Sequence, residues 1–449
     1  MSRGIWGVDI RSLETGERLF QTNAGRLMMP ASNMKILTVA AAAETLGWDA
    51  RFTTTVEASG IVSAGTLDGD LIVRGGGDPT INTREDRGSA VFDEWALALR
   101  AAGISHITGR VVGDDQAFDD EGLGPGWSWD YLQYGYAAPS GALQYNEDVA
   151  TLRVQPAASA GEPAVVEFGA GSGLTLLNRA MTGAAGSAET IDFRRHLDRP
   201  ILELTGSIPL GSAAIARNVA VVNPTEFFAQ ALKDALIARG ITVAGAVVDL
   251  DDIAAEFQGS PRERQVIAST LSPTLREIAA VLMKVSHNLY AETLLKAMGA
   301  TDGALGTTQG GRTAARTVFR AWGVPDDAYV QVDGSGLSRY NYVTAETLTS
   351  ILQHLYADAR HREPFAATLA VAGKDGTVEK RMRKTRAEGN ALTKTGSIAN
   401  VRTLSGYVRT RDGENLAFAI LANDFVIPAA TVNWIMDLAV ETLSNFTRR

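Results

Sequence analysis

No cysteine occurs anywhere in the 449 residues. That excludes disulfides, thiol catalysis and cysteine-ligated zinc, and it leaves the compartment open. Positive charge is not in excess: 42 Lys and Arg stand against 51 Asp and Glu, a formal net charge of −9. A nucleic-acid partner normally meets a basic footprint, so none is expected. No run approaches the roughly 20 apolar residues of a membrane span, so no transmembrane segment is expected. Met1-Ser2-Arg3-Gly4-Ile5-Trp6 has no signal-like apolar core either. Either the protein is cytoplasmic or the numbering starts after a removed export signal. Histidine is scarce, and no His-Glu-x-x-His is present. Gly75-Gly76-Gly77-Asp78-Pro79 lacks the Lys-Ser/Thr of a phosphate-binding loop. Asp249, Asp251 and Asp252 read as an acidic linker without calcium-loop spacing. Neither a metal nor a cofactor is expected.

An apolar fraction of 45% and this length permit two or three ordinary cores. Residues 5–22 read as a β-hairpin turning at Glu14-Thr15-Gly16. Pro30 stops the extended chain, and a helix runs from Ser32 to Leu46 with Gly47 as its cap. Short strands are expected at 52–58, 66–73 and 107–113, with helices at 91–102 and 224–239. A linker is expected at 251–264. Two helical segments meet near Ser286 within 272–299, and another helix covers 345–356. The end reads as a strand meander, with a turn at Arg411-Asp412-Gly413-Glu414, closed by a helix over 430–443.

Three motifs punctuate this pattern: Ser32-Asn33-Met34-Lys35, Ser286-His287-Asn288 and Lys394-Thr395-Gly396. A serine hydroxyl needs a base beside it. Helical positions i and i+3 share a face, so Lys35 can point at Ser32. Lysine acts as a base only when burial or a second cation lowers its pKa. Lys394 is the candidate cation, and the helix N-terminus under Ser32 suits an oxyanion. Taken singly, Ser32 also reads as a helix cap, Ser286 and Asn288 as loop residues, and Lys394-Thr395-Gly396-Ser397 as a surface turn. Their joint order describes acyl transfer by a serine without a histidine base. Gly396 admits a substrate backbone, and Thr395 and Ser397 offer hydroxyls to a carboxylate.

The chain resembles the D-alanyl-D-alanine carboxypeptidase/endopeptidase family of low-molecular-mass class C penicillin-binding proteins, serine peptidase family S13. Further segments carry the resemblance: Trp6-Gly7-Val8, Pro30-Ala31-Ser32, Gly75-Gly76-Gly77-Asp78-Pro79, Asp333-Gly334-Ser335-Gly336-Leu337-Ser338-Arg339, Gly376-Thr377-Val378 and Leu404-Ser405-Gly406-Tyr407-Val408. It implies an α+β, β-lactamase/transpeptidase-like catalytic domain (1–51 and 266–449) interrupted by two nested, strand-rich inserted domains. These are 52–146 with 213–265, and 147–212 inside it. It implies that Ser32 attacks the carbonyl between two D-alanines of a peptidoglycan stem peptide. Lys35 is then the base, Ser286 the proton relay, Asn288 the orienting amide and Lys394 the electrostatic support. Thr395 and Ser397 hold the terminal carboxylate. A subsite for the amino end of a diaminopimelate-type side chain is implied at Asp130, Trp129 and Tyr136, with Arg339. β-Lactams become covalent inhibitors, and the location becomes periplasmic or extracellular. His287 departs from the smaller polar residues usual there and reads as a loop residue. The remaining histidines read as surface residues. The competing readings are a β-lactamase or esterase on the same scaffold, and a non-catalytic peptidoglycan-binding module.

Overall fold

The structure is a computed structural model that describes residues 3–84, 86–253 and 264–448. It divides into two compact units. The first comprises Met1–Arg51, Gly124–Trp127 and Pro273–Arg449; the second comprises Phe52–Leu123 and Ser128–Ser272.

The first unit is built on a six-stranded sheet in the order Arg18–Thr22, Ile5–Ser12, Asn415–Asn423, Val401–Arg409, Leu392–Ile398, Ala370–Val371. Every neighbouring pair is antiparallel. The hairpin and the C-terminal meander thus form one sheet, with the first strand beside the last. The closing helix Ala429–Asn445 turns Val432, Met436 and Val440 onto Leu404, Leu416, Phe418 and Ile420 of the sheet. These helix positions recur at the four-residue spacing of one face. The Tyr407 hydroxyl crosses from the sheet to donate to the Leu352 carbonyl in the helix Ala345–Ala357, at 2.8 Å.

The helix Met34–Thr45 is buried from Met34 through Ala43. A helix apolar on all sides belongs in an interior, and this one runs through the centre of the unit. Ser32 does not begin it as an α-helical residue: Ala31–Asn33 form a single 3-10 turn, and the α-helix starts at Met34. Among the described residues, two α-helices are additional to those expected, Thr308–Ala321 and Arg362–Thr368. The former packs so closely that a Cβ on Gly311 would stand 1.8 Å from the Leu295 carbonyl.

In the second unit, a mixed seven-stranded sheet is covered by the helices Arg87–Ala101 and Pro224–Ala238. Phe92, Trp95 and Phe228 meet there with ring centroids about 6 Å apart. The strand Arg264–Leu271 pairs antiparallel with Thr53–Ser63. The expected catalytic boundary at 266 therefore falls inside a strand of the second unit, and the chain re-enters the first at Pro273. Of the linker expected at 251–264, residues 254–263 lie outside the described residues. Asp249 ends a strand, Val247–Asp249, and is not in a linker. The segment 147–212 contributes to a separate apolar cluster containing Leu152, Val154, Leu202, Leu204 and Ile208. Val219 joins it from the strand Ile215–Ala220, which pairs with Val149–Gln155.

Candidate active site

The three motifs converge within the first unit. The 3-10 turn is held from both sides of Ser32. Thr403 donates its hydroxyl to the Pro30 carbonyl at 2.8 Å, and Asn33 donates its amide to Ser405 Oγ at 2.6 Å. Ala31, with φ 44°, adopts the left-handed conformation that lets the chain swing into the turn. Ser286 also has positive φ, 64°, between the helices Leu275–Lys284 and Asn288–Gly299. Strained backbone of this kind persists where the surroundings over-determine it.

Lys35 Nζ lies 2.9 Å from Ser32 Oγ, 2.6 Å from Asn288 Oδ1 and 2.7 Å from the Ser335 carbonyl oxygen. Two of these three neighbours are carbonyl oxygens, which only accept. When the amine is neutral its two N–H bonds go to Asn288 and Ser335, and its lone pair is left facing the Ser32 hydroxyl. Lys35 is 0% exposed. Burial lowers its pKa to about 7, while Glu292 and Asp333 oppose the shift. Of the two causes the sequence leaves open, burial and a second cation, desolvation of Lys35 itself is the dominant one. Lys394 is also fully buried, and burial followed by repulsion from Lys35 drives its pKa well below the ordinary range. Lys394 Nζ donates to Ser286 Oγ at 2.9 Å and to the Thr395 carbonyl at 2.8 Å.

The strand Leu392–Ile398 runs directly beside the serine. A Cβ placed on Gly396 would stand 2.1 Å from Thr403 Oγ1, 2.8 Å from the Pro30 carbonyl and 2.9 Å from the Ser32 nitrogen. Glycine is required for that approach. Gly396→Ala is expected to push the strand away from Ser32 and slow penicillin acylation by about 10- to 100-fold, with little change in the far-ultraviolet circular dichroism spectrum. Stopped-flow acylation at fixed pH measures it. Thr395 donates its hydroxyl to Thr377 Oγ1 at 2.7 Å, Ser397 is exposed, and the Arg339 guanidinium donates to the Ala399 carbonyl at 2.8 Å. Arg339 therefore reaches the turn that follows Ser397.

Trp129, Asp130 and Tyr136 belong to the second unit. All three are exposed; Trp129 and Asp130 lie in the turn Trp129–Tyr131, where Ser128 donates its hydroxyl to Asp130. Tyr136 stacks on Tyr134 with centroids 5.4 Å apart, and burial with its tyrosine neighbours raises its pKa to about 12. In the same unit Asp115, Asp120 and Asp251 bring carboxylate oxygens within 4.8 Å of one another. None of these acids belongs to the motif segments.

His287 packs its ring on Tyr290, centroids 4.3 Å apart. His361 is not a surface residue: it is buried, accepts from Trp48 Nε1 at 3.1 Å and lies 2.7 Å from Glu44. Residue-type reasoning missed Glu292, Asp333, Ser335 and Thr377 as neighbours of the motifs. The segments Asp333–Arg339 and Gly376–Val378 mark three of them in the sequence. Glu292 is signalled only by standing four positions after Asn288, on the same helical face.

Comparison with known proteins decides the family. The model described as the D-Ala-D-Ala carboxypeptidase 3 (S13) family matches residues 1–445. The chain belongs to that family. It is accordingly a serine-type D-Ala-D-Ala carboxypeptidase, a hydrolase. A D-alanyl-D-alanine carboxypeptidase of an Actinomadura species is 37% identical over 95% of this chain and 79% of its own length. The D-alanyl-D-alanine carboxypeptidase DacB of Haemophilus influenzae is 26% identical over 93% of this chain and 85% of its own. The crystal structure of penicillin binding protein 4 from Haemophilus influenzae superposes with a TM-score of 0.83 at 24% identity, covering 99% of this chain and 97% of that one. That likeness establishes the multi-domain, β-lactamase-like α+β fold. Among the described residues no helix is long and apolar enough to cross a membrane.

Proposed function

We propose that this enzyme removes or cleaves beside a terminal D-alanine in peptidoglycan stem peptides through an acyl-enzyme on Ser32. The observation that carries the reading is the fully buried Lys35 amine, pinned by two carbonyl oxygens with its third direction on Ser32 Oγ. Neutral Lys35 takes the serine proton as Oγ attacks the carbonyl carbon. The backbone N–H groups of Ser32 and Ser397 receive the developing oxyanion. Ser286, in contact with Lys394, passes its proton to the departing amine and takes in its place the proton Lys35 removed from Ser32, which leaves Lys35 neutral again. Thr395 and Ser397 hold the terminal carboxylate. Water then hydrolyses the ester and restores the serine.

Trp129, Asp130 and Tyr136 are the proposed subsite for a side-chain ammonium group, which a carboxylate and aromatic rings suit. Residues 147–212, with their own apolar cluster, are proposed as a third domain nested in the second. β-Lactams are proposed as covalent inhibitors, and the enzyme is proposed to act in the periplasm or outside the cell, where a peptidoglycan substrate lies. The test is release of D-alanine from a peptide ending in D-Ala-D-Ala, run beside benzylpenicillin. The expected outcome is D-alanine release together with a penicilloyl adduct that persists through many peptide turnovers. Rapid hydrolysis of penicillin without peptide cleavage would establish a β-lactamase instead.

A further inference from the structure

Glu292 takes no part in the acyl transfer just described, yet it is built into the floor of the site. It stands one turn after Asn288 and is 5% exposed. Its two carboxylate oxygens accept the backbone N–H groups of Gly334 and Ser335, each at 2.8 Å. The next carbonyl along, that of Ser335, is the one that faces Lys35 Nζ at 2.7 Å. Thr38, from the helix that carries Lys35, donates to the Gly334 carbonyl at 2.7 Å. Gly334 lies so close to the Glu292 helix that a Cβ would stand 2.3 Å from the Ala291 carbonyl. Ser335, whose carbonyl faces Lys35, is therefore held through its own N–H by Glu292, while the N–H of the Ser335–Gly336 peptide is held by Asp333.

We propose that Glu292 is a positioning residue for acylation: by holding the Gly334 and Ser335 N–H groups it fixes the residue whose carbonyl aims the Lys35 amine at Ser32. This rests on the reading of Lys35 as the base. The groups around it are Lys35 from the helix Met34–Thr45, Asp333 from the gripped loop, Lys296 one turn on along its own helix, and Lys394 beyond Lys35 on the strand. Asp333 holds the same loop from within. It accepts the N–H groups of Gly336 and Ser338, the Trp127 indole N–H and the Asn341 amide. Burial, reinforced by Asp333, raises the Glu292 pKa to about 7, the value to which burial lowers Lys35. Two groups so matched titrate as a pair. Removing the carboxylate removes an anion that favours the ammonium form, so Lys35 sheds its proton at lower pH.

The experiment follows the acylation rate constant with a fluorescent penicillin from about pH 5 to 9, where general-base profiles resolve. It uses the parent, Glu292→Gln, Glu292→Asp and Lys35→Ala. In Glu292→Gln the ascending limb should move down by about one pH unit, and the plateau should fall about tenfold. Glu292→Asp keeps the charge but shortens the reach, so its limb should stay while its plateau falls. A residue that only supports the fold would change the folded fraction without moving the limb. An unmoved or raised limb in a folded Glu292→Gln overturns the proposal. If that variant does not fold, a parental plateau in Glu292→Asp overturns it and a lowered plateau at an unmoved limb supports it. The Lys35→Ala control separates the two claims. If it retains the parental rate and limb, the base assignment fails and the proposal with it. If it loses both while Glu292→Gln matches the parent, only the role of Glu292 falls.

Discussion

Ser32→Ala is expected to reduce D-alanine release by at least about 10⁴-fold and to leave the fold intact. The magnitude is that of removing a nucleophile from a site whose members act together. What survives is the binding of the peptide and the donors aimed at its carbonyl. The fold is expected to tolerate the change because Ser32 is only half-buried and lies inside the turn, whose cap is Pro30. The turn is held by Thr403 on the Pro30 carbonyl and by Asn33 on Ser405. Steady-state release of D-alanine measures the effect, and a thermal melt within a few degrees of the parent shows that the loss is chemical. Activity within tenfold of the parent would remove Ser32 from the mechanism.

Lys35→Ala is expected to slow acylation by about 10³- to 10⁴-fold, the upper range for loss of a general base. Its pH dependence is more diagnostic than its size. In the parent, acylation needs the neutral amine, whose pKa burial lowers to about 7. The rate therefore rises as pH rises through about 7 and levels off above it. Lys35→Ala should be slow at every pH, without that limb. Lys35→Arg keeps a cation beside Ser32 but cannot give up its proton, so it should be as slow as alanine. If arginine restored the rate, the role of Lys35 would be charge alone. Truncation also removes one hydrogen bond from Asn288 Oδ1 and one from the Ser335 carbonyl. A stability loss of about 1–3 kcal/mol is expected beside the kinetic one, and chemical denaturation measures it separately.

Much of the site was legible in the chain because acyl transfer demands particular residue types at particular spacings. Ser32 and Lys35, three apart, share a face whether the first residue lies in a 3-10 turn or in an α-helix. Gly396 was legible as a close approach, and the structure shows what approaches it. The supporting shell was harder to read. Glu292 is one acid in a mostly buried helix, and its meaning depends on a loop about forty positions away closing onto it. The source of the Lys35 shift could not be chosen from sequence either, since burial depends on the completed core. In the fold, alternating strands and capped helices announced themselves. The strand Arg264–Leu271 did not announce its partner, so the expected boundary at 266 cuts through it. The helix Thr308–Ala321 contains Gly310 and Gly311, which read as breakers until close packing against Leu295 and Gly299 explains them.

The central claim is a covalent acyl-enzyme on Ser32. Intact-protein mass after exposure to benzylpenicillin, followed by peptide mapping of the adduct, tests it most directly. The account predicts one penicilloyl group per chain, located on the peptide containing Ser32 and absent from Ser32→Ala. An adduct mapped to another residue, or no adduct on protein shown to be folded, would contradict it.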